Sequence, residues 1–281
     1  MLRIALFGHP VGHSRSAELF GALAAAGGPP VDYRPVDVPP GGLQEAFERL
    51  RAGEWDGANV TIPHKVEACR LADELDAAAR AAGAANVLVR RAGRIAAANT
   101  DGAGFLDALR LFPELGSLRG LSVLILGAGG AARGVAAALT AEGAEVTVVS
   151  RDPAKRAAWA GHLARRVVGW DDPELASVTS SARLVVQATP LGMAPYESAL
   201  PPLPLEAVGP GHRAVDLVYE PWETPFLAAV RDRGAAAING WPMLVHQAAR
   251  AALLWGGPAA AGRLLAAARE LEARDPFRAG A

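Results

Sequence analysis

Of the 28 lysines and arginines in this sequence, only Lys65 and Lys155 are lysines. Arginine stays protonated in proteins, whereas a lysine can be tuned to exchange its proton, so a rare lysine in an arginine-rich chain invites a role in proton transfer. Lys65 closes the run Asn59-Val60-Thr61-Ile62-Pro63-His64-Lys65, which reads as a strand leading into a helix, with Pro63 in the first turn where its missing N–H costs nothing. The positive end of a helix dipole disfavours an ammonium, which favours proton loss from a lysine placed there. An exposed surface lysine is the competing reading, and a first-turn lysine fits it poorly. Asp101, in Asn99-Thr100-Asp101-Gly102, precedes the helix pattern 103–111 and reads equally well as an N-cap or as a catalytic carboxylate.

Two further stretches could bind anions. His13-Ser14-Arg15-Ser16 opens a helix with Leu19, Phe20 and Leu23 on its apolar face. Two hydroxyls beside free helix N–H groups make a carboxylate site, the alternative being that Ser16 is an ordinary cap. Gly127-Ala128-Gly129-Gly130-Ala131-Ala132-Arg133 lies between a buried strand, 121–126, and an alanine-rich helix, 134–142. It matches the dinucleotide fingerprint G-x-G-x-x-A, in which glycines let the backbone approach a phosphate. The next buried strand, 145–149, ends at Ser150-Arg151, where NAD-binding proteins carry an acidic residue for the ribose hydroxyl. Arg151 cannot accept that hydrogen bond, but its planar fork suits a 2′-phosphate, and Lys155 and Arg156 follow a turn later. NADP is favoured over NAD, and Asp152 keeps use of both open.

The scaffold that must hold these groups reads as alternating strand and helix, which implies parallel sheets. Strands are expected at 3–7 and 31–36, and the run 55–65 reads as a strand ending in a helix start, with an amphipathic helix over 43–51 that turns Leu43, Phe47 and Leu50 inward. A helix through Leu71, Leu75 and Ala79 should end near Gly83, followed by short strands at 86–89 and 94–97 joined around Gly93. In the second half, strands at 184–188 and 214–219 each run into a proline-broken loop. Ligands of open parallel sheets lie beyond the carboxyl ends of the strands, so Thr189 is set to touch a cofactor, and Tyr219 sits at the same rim unless it is an amphipathic edge residue. After a helix over 224–232 and a strand over 235–238, the helix 243–255 puts Met243, Gln247, Ala251 and Leu254 on one stripe. Gln247 is its polar member, satisfied by backbone or facing a ligand. A last helix is expected over 264–271 and a loose tail over 275–281.

Composition narrows the classes. The chain has 281 residues, 51% apolar, enough for two modest cores. A net charge of −1 with no basic block lacks the footprint of a nucleic-acid binder, which leaves a small-molecule partner. No apolar run suits a signal segment or a membrane span, so a cytoplasmic chain is expected. Cys69 is alone and the six histidines show no paired ligand spacing, so neither a disulfide nor a metal site is implied.

Taken together, Gly8-His9-Pro10, His13 to Ser16, Asn59 to Lys65, Asn99 to Gly102, Gly127 to Arg133, Asp216-Leu217-Val218-Tyr219 and Gln247-Ala248-Ala249 resemble the shikimate dehydrogenase family over almost the whole chain. The resemblance implies an α/β protein of two domains with a deep cleft between them. An N-terminal substrate domain would comprise 1–103 plus 240–281, and a Rossmann-type NADP-binding domain 104–239. It implies NADP-dependent, reversible reduction of 3-dehydroshikimate to shikimate, with Lys65 and Asp101 as the catalytic pair. Ser14 and Ser16 would hold the substrate carboxylate with Tyr219 nearby, and Asn59, Thr61, Asn86 and Gln247 would contact ring hydroxyls. Gly127, Ala128, Gly129, Gly130, Ala131, Ser150, Arg151, Lys155, Thr189 and Leu217 would line the cofactor, with Gly240 and Met243 flanking the nicotinamide. A monomer or homodimer is compatible with this. The chain departs from the family pattern at Ala17, Phe20-Gly21, Val87, Gln187, Ser150 and Asp152, which leaves room for quinate or an aminated analogue as substrate. Ser16 leans toward shikimate. A non-catalytic NADP-binding sensor is disfavoured because Lys65 and Asp101 are both present.

Overall fold

The computed structural model describes residues 1–12, 14–25, 27–154 and 161–274. It divides into two compact units, Met1–Phe105 with the chain from Leu244 onward, and Leu106–Met243.

The first unit is built on six strands: β1 (Leu2–Gly8), β2 (Val31–Asp37), β3 (Gly57–Val60), β4 (Glu74–Leu75), β5 (Val87–Arg91) and β6 (Arg94–Ala98), in the order β2-β1-β3-β5-β6-β4. The sheet is mixed, which corrects the expectation of a parallel one: β5 runs antiparallel to both β3 and β6. The cause is local. β5 and β6 are joined only by Ala92 (φ 49°) and Gly93 (φ 78°), a left-handed pair that makes a two-residue hairpin, far too short for a parallel crossover. Beside the sheet lie α1 (Ser16–Ala25), α2 (Leu43–Arg51), α3 (Lys65–Leu71) and α4 (Ala77–Ala82). The amphipathic α2 buries Leu43, Phe47 and Leu50 in a core with Phe7, Trp55, Leu88 and Ile95.

The single helix expected through Leu71, Leu75 and Ala79 is three elements. Asp73 N donates to Ile95 O and Asp76 N to Ala97 O, which draws Glu74 and Leu75 into the sheet as β4. The Asp76 side chain then accepts from Ala79 N at 2.6 Å and starts α4 afresh. Pro63 also falls before its helix, in the turn closed by His64 N donating to Thr61 O, so Lys65 is the first residue of α3.

The second unit carries β7 (Ser122–Leu126), β8 (Glu145–Val149), β9 (Arg166–Val168), β10 (Leu184–Gln187), β11 (Arg213–Asp216) and β12 (Ala236–Ile238). All are parallel, in the order β12-β11-β10-β7-β8-β9. Counted within the unit this is 3-2-1-4-5-6, the doubly wound order of dinucleotide folds, with its reversal point between β7 and β10. The helix α6 (Gly130–Ala141) follows β7, and α7 (Leu175–Ser181) and α8 (Pro225–Asp232) follow later strands. Leu124, Val149, Val185, Phe226 and Leu227 belong to one buried core. The chain passes between units within α5 (Asp101–Ala108) and α9 (Trp241–Gly256). Leu254 is exposed and Trp255 is turned inward, donating Nε1 to Leu88 O at 3.0 Å, so the expected stripe on α9 ends a turn early. The last helix, α10 (Pro258–Arg274), is longer than expected at both ends, and the tail 275–281 lies outside the described residues.

Candidate active site and nucleotide site

The reversed direction of β5 creates the site of the first unit. Its start faces the same sheet edge as the ends of β3 and β6, with Asn59 opposite Val87 and Val87 opposite Ala98. Asn59, Asn86 and the segment 99–101 therefore meet, although some 40 residues separate the first from the last. Lys65 Nζ donates to Asp101 Oδ2 at 2.6 Å, with side chains only 13% and 4% exposed. The other carboxylate oxygen, Oδ1, accepts from Asn86 Nδ2 at 3.0 Å. Asn86 is the hub: Nδ2 also lies 2.8 Å from Thr100 Oγ1 and 3.0 Å from Gln247 Oε1, and Oδ1 accepts from Thr100 N at 2.7 Å. These bonds fix which way its amide points.

Asn59 is held as firmly. Its Oδ1 accepts from Tyr33 OH at 2.9 Å and its Nδ2 donates to Asn86 O at 3.0 Å. One N–H is left, so Asn59 can offer a ligand a donor. His64, buried beside Lys65, donates Nε2–H to Val38 O at 2.6 Å and pins the start of α3. Thr61 packs its methyl group on Gly8, where a Cβ would stand 2.3 Å from it, joining the ends of β1 and β3.

Asp101 is not a cap. It is the first residue of α5, Thr100 O accepts from Gly104 N, and the carboxylate is turned to Lys65 and Asn86. At α1 the hydroxyl that accepts a helix N–H is that of Ser14, from Ser16 N at 3.3 Å, and Ser16 is the buried first residue of the helix. Gln247 is satisfied by backbone, as one of its two expected readings has it, donating Nε2 to Leu244 O at 3.0 Å, while Oε1 accepts from Asn86 Nδ2.

Gly104 lets Gln247 reach this network. A Cβ on Gly104 would stand 2.7 Å from Gln247 N and 2.8 Å from its Cβ. Glycine inside a helix ordinarily costs about 1 kcal/mol against alanine, so Gly104→Ala would stabilise an open helix. Here the contact is with backbone, and the substitution is expected to destabilise by about 1–3 kcal/mol through overpacking. Thermal melting checks the sign, and a melting temperature above wild type would contradict it.

In the second unit, the glycine turn after β7 has the geometry its sequence suggests. Gly127 holds φ 107°, a left-handed value that glycine tolerates, and a Cβ there would press on Thr189 and Ala188. Gly129, the N-cap of α6, has no side-chain cap and open space where its Cβ would be. Ala128 and Ala131 are only half-buried, so the uncapped N–H groups at the start of α6 lie beside open space, which fits a pyrophosphate. At the end of β8, Ser150 Oγ accepts from Asp152 N at 3.2 Å, and Arg151 is exposed with no ion pair among the described residues. A guanidinium so placed fits a 2′-phosphate. Lys155 lies outside the described residues. A Cβ on Gly240 would stand 2.3 Å from Leu217 O, so these two touch at the end of β11. Tyr219 is half-buried on the following loop, and Met243 is buried in the first turn of α9.

The sequence assigned no site role to Tyr33, Thr100, Gln187 or Asp216, although Thr100 and Asp216 lie in the motifs that carry the resemblance and Gln187 is one of the departures from it. Gln187 and Asp216 carried a signal, since each is a polar residue ending an otherwise apolar buried strand. Both are fully buried, and burial pushes the Asp216 carboxyl up to about 7, against the lowering effect of bonds from Thr224, Val218 and Gln187.

The family model for the shikimate dehydrogenase substrate binding domain matches residues 6–88, and that for NADP oxidoreductase, coenzyme F420-dependent, matches residues 122–200. The shikimate dehydrogenase (NADP(+)) of Moorella thermoacetica is 41% identical over 262 residues, covering 90% of this chain and 88% of that protein. The structure of shikimate 5-dehydrogenase from Thermus thermophilus, in complex with NADP(H) and shikimate, aligns with a TM-score of 0.81 at 37% identity, over 96% of this chain and 99% of its own. The ligand-free 5-ketofructose reductase of Gluconobacter sp. strain CHM43 aligns with a TM-score of 0.77 at 28% identity, over 96% and 98%.

Proposed function

This chain belongs to the shikimate dehydrogenase family, and from that premise we propose that it reduces 3-dehydroshikimate reversibly to shikimate with NADPH. The observation that carries the reading is the Lys65–Asp101 pair, 2.6 Å apart and largely shielded from water, in a chain so closely related to NADP-dependent shikimate dehydrogenases.

Bound NADPH supplies the hydride. Everything else falls to the chain's own side chains and backbone N–H groups. Reduction of the ketone leaves an alkoxide that must gain a proton, and the Lys65 ammonium gives it; in oxidation the neutral amine takes it back. Asp101 holds the ammonium in place and balances its charge, and Asn86 fixes Asp101 from the other side. Ser14 and Ser16 hold the substrate carboxylate at the start of α1, with Tyr219 as a further contact. Asn59, Thr61, Asn86 and Gln247 read the ring hydroxyls. Gly127, Ala128, Gly129, Gly130 and Ala131 receive the pyrophosphate, Ser150, Arg151 and Lys155 the 2′-phosphate, and Thr189, Leu217, Gly240 and Met243 the nicotinamide side. The substrate is a small molecule in the cytoplasm, with no nucleic acid or membrane involved, and the chain acts as a monomer or homodimer. In support, the net charge is −1 and, among the described residues, no helix is long and apolar enough to cross a membrane.

The test is turnover, read by absorbance of the reduced nicotinamide, for shikimate and quinate each paired with NADP and NAD. Shikimate with NADP should be the preferred pair. Preference for quinate, or cofactor binding without turnover of any pair, would refute the assignment. Arg151→Ser should raise the KM for NADP by roughly 10- to 100-fold, the worth of a charge-assisted hydrogen bond, and leave that for NAD nearly unchanged. Equal effects on both cofactors would remove Arg151 from the 2′-phosphate.

A further inference from the structure

Four hydrogen bonds meet on the side chain of Gln187, at the end of β10. Its Oε1 accepts from Thr189 N at 2.5 Å and from Thr189 Oγ1 at 2.7 Å. Its Nε2 donates to Leu191 O at 2.8 Å and to Asp216 Oδ1 at 3.2 Å. The amide is thereby saturated, two bonds accepted and two donated, and the residue is fully buried. Asp216, the anchor, is itself fixed by Val218 N at 2.9 Å and Thr224 Oγ1 at 2.6 Å. The loop so held is braced within itself, Leu191 N donating to Thr189 Oγ1 at 3.2 Å, and abuts the glycine turn, the Thr189 methyl group lying 2.9 Å from where a Cβ on Gly127 would stand. One amide thus links the end of β11, the loop after β10 and the glycine turn after β7.

We propose that Gln187 is a positioning residue for the dinucleotide: anchored on Asp216, it holds the Thr189–Leu191 loop against the Gly127 turn and so sets nucleotide affinity. Thr189 spends both its N–H and its hydroxyl proton on Gln187. It therefore faces the nucleotide as a shaped wall, and the position of that wall is what Gln187 controls. Asparagine, one methylene shorter, cannot keep all four of these bonds with the Thr189–Leu191 loop where it now stands. The inference rests on the reading of the second unit as the NADP-binding one.

The experiment measures NADPH dissociation constants by fluorescence titration, and the KM values for NADP and shikimate, for wild type, Gln187→Leu and Gln187→Asn, with melting curves for each. Gln187→Leu keeps the volume and removes the bonds; Gln187→Asn keeps the amide and shortens it. Both are expected to weaken NADPH binding about fivefold or more, the worth of one or two neutral hydrogen bonds, while the KM for shikimate stays within about twofold. NADPH binding within about twofold of wild type in a folded variant overturns the inference, as does an equal rise in the KM for shikimate, which would mean general loosening. If Gln187→Leu does not fold, Gln187→Asn decides by the same criteria. A wild type that binds no NADPH overturns the reading of the unit and the inference with it, whereas tight wild-type binding shared by both variants overturns the inference alone.

Discussion

Lys65→Ala is expected to lower kcat for shikimate oxidation with NADP by about 10²- to 10⁴-fold, the usual contribution of a positioned acid or base. The binding groups assigned to the substrate, Ser14, Ser16, Asn59, Thr61 and Gln247, are untouched by the change, so shikimate affinity should stay within a few-fold when measured by calorimetry. The geometry gives the reason for the split between binding and rate. Nζ sits 2.6 Å from Asp101 Oδ2, and Asp101 is anchored by Asn86, which is anchored by Thr100 and Gln247. That chain of bonds holds the ammonium in one place, and a proton donor counts only where the proton is needed. Breaking a buried ion pair from one side costs stability as well, about 3–5 kcal/mol when the pair is fully buried and less for this partly exposed lysine. Melting curves therefore belong beside the kinetics. A variant that stays folded, binds shikimate and turns over near the wild-type rate would remove Lys65 from the chemistry.

The second large effect is on stability and comes from Asp216. Its carboxyl is pushed up to about 7 in the folded chain from an ordinary value of 3.8. Below about pH 4 both folded and unfolded chains hold the proton, and the group contributes no pH dependence. Between about 4 and 7 the unfolded chain releases it while the folded chain keeps it, so the folded state loses stability as pH rises, and above 7 the loss is complete. A shift of this size corresponds to about 4 kcal/mol at most. The lowered carboxylates, Glu54, Asp56, Asp73 and Glu114, act in the opposite sense and at lower pH, since each loses its stabilising partners only when protonated. The two windows are therefore separable. Urea midpoints of wild type should fall between about pH 5 and 8, and those of Asp216→Asn should fall less. Parallel curves for the two proteins would show that Asp216 does not titrate in that range.

The local pieces of the site were legible where one residue type has one structural use. The glycine turn is such a case: a strand, a G-x-G-x-x-A turn and a helix followed in order, and Gly127 holds the left-handed angle that the spacing requires. That Lys65 lies near a helix start was legible too, although the helix begins at Lys65 itself and Pro63 falls before it. What could not be read was direction. Apolar periodicity reports which face of a strand is buried and is blind to which way the strand runs, so the reversal of β5 at the Ala92-Gly93 turn was missed. That reversal is what brings Asn86 beside Asn59 and Asp101. Leu71, Leu75 and Ala79 had helical spacing by coincidence, and the bonds that split them came from Ile95 and Ala97, about 20 residues away. β9, three residues long, carried too little pattern to detect. Asp101 shows a different limit: both of its readings were open in the sequence, and the cap reading falls only because Asp101 is already the first residue of α5 and its carboxylate is turned to Lys65 and Asn86.

The most direct test of the account is the turnover of Lys65→Arg at saturating shikimate and NADP. Arginine keeps the positive charge and can pair with Asp101, but it holds its proton at any working pH. If Lys65 serves by moving a proton, Lys65→Arg should lose about as much rate as Lys65→Ala, at least about 10²-fold. If Lys65→Arg works within a few-fold of wild type, charge alone suffices, and the proton transfer assigned to Lys65 is contradicted.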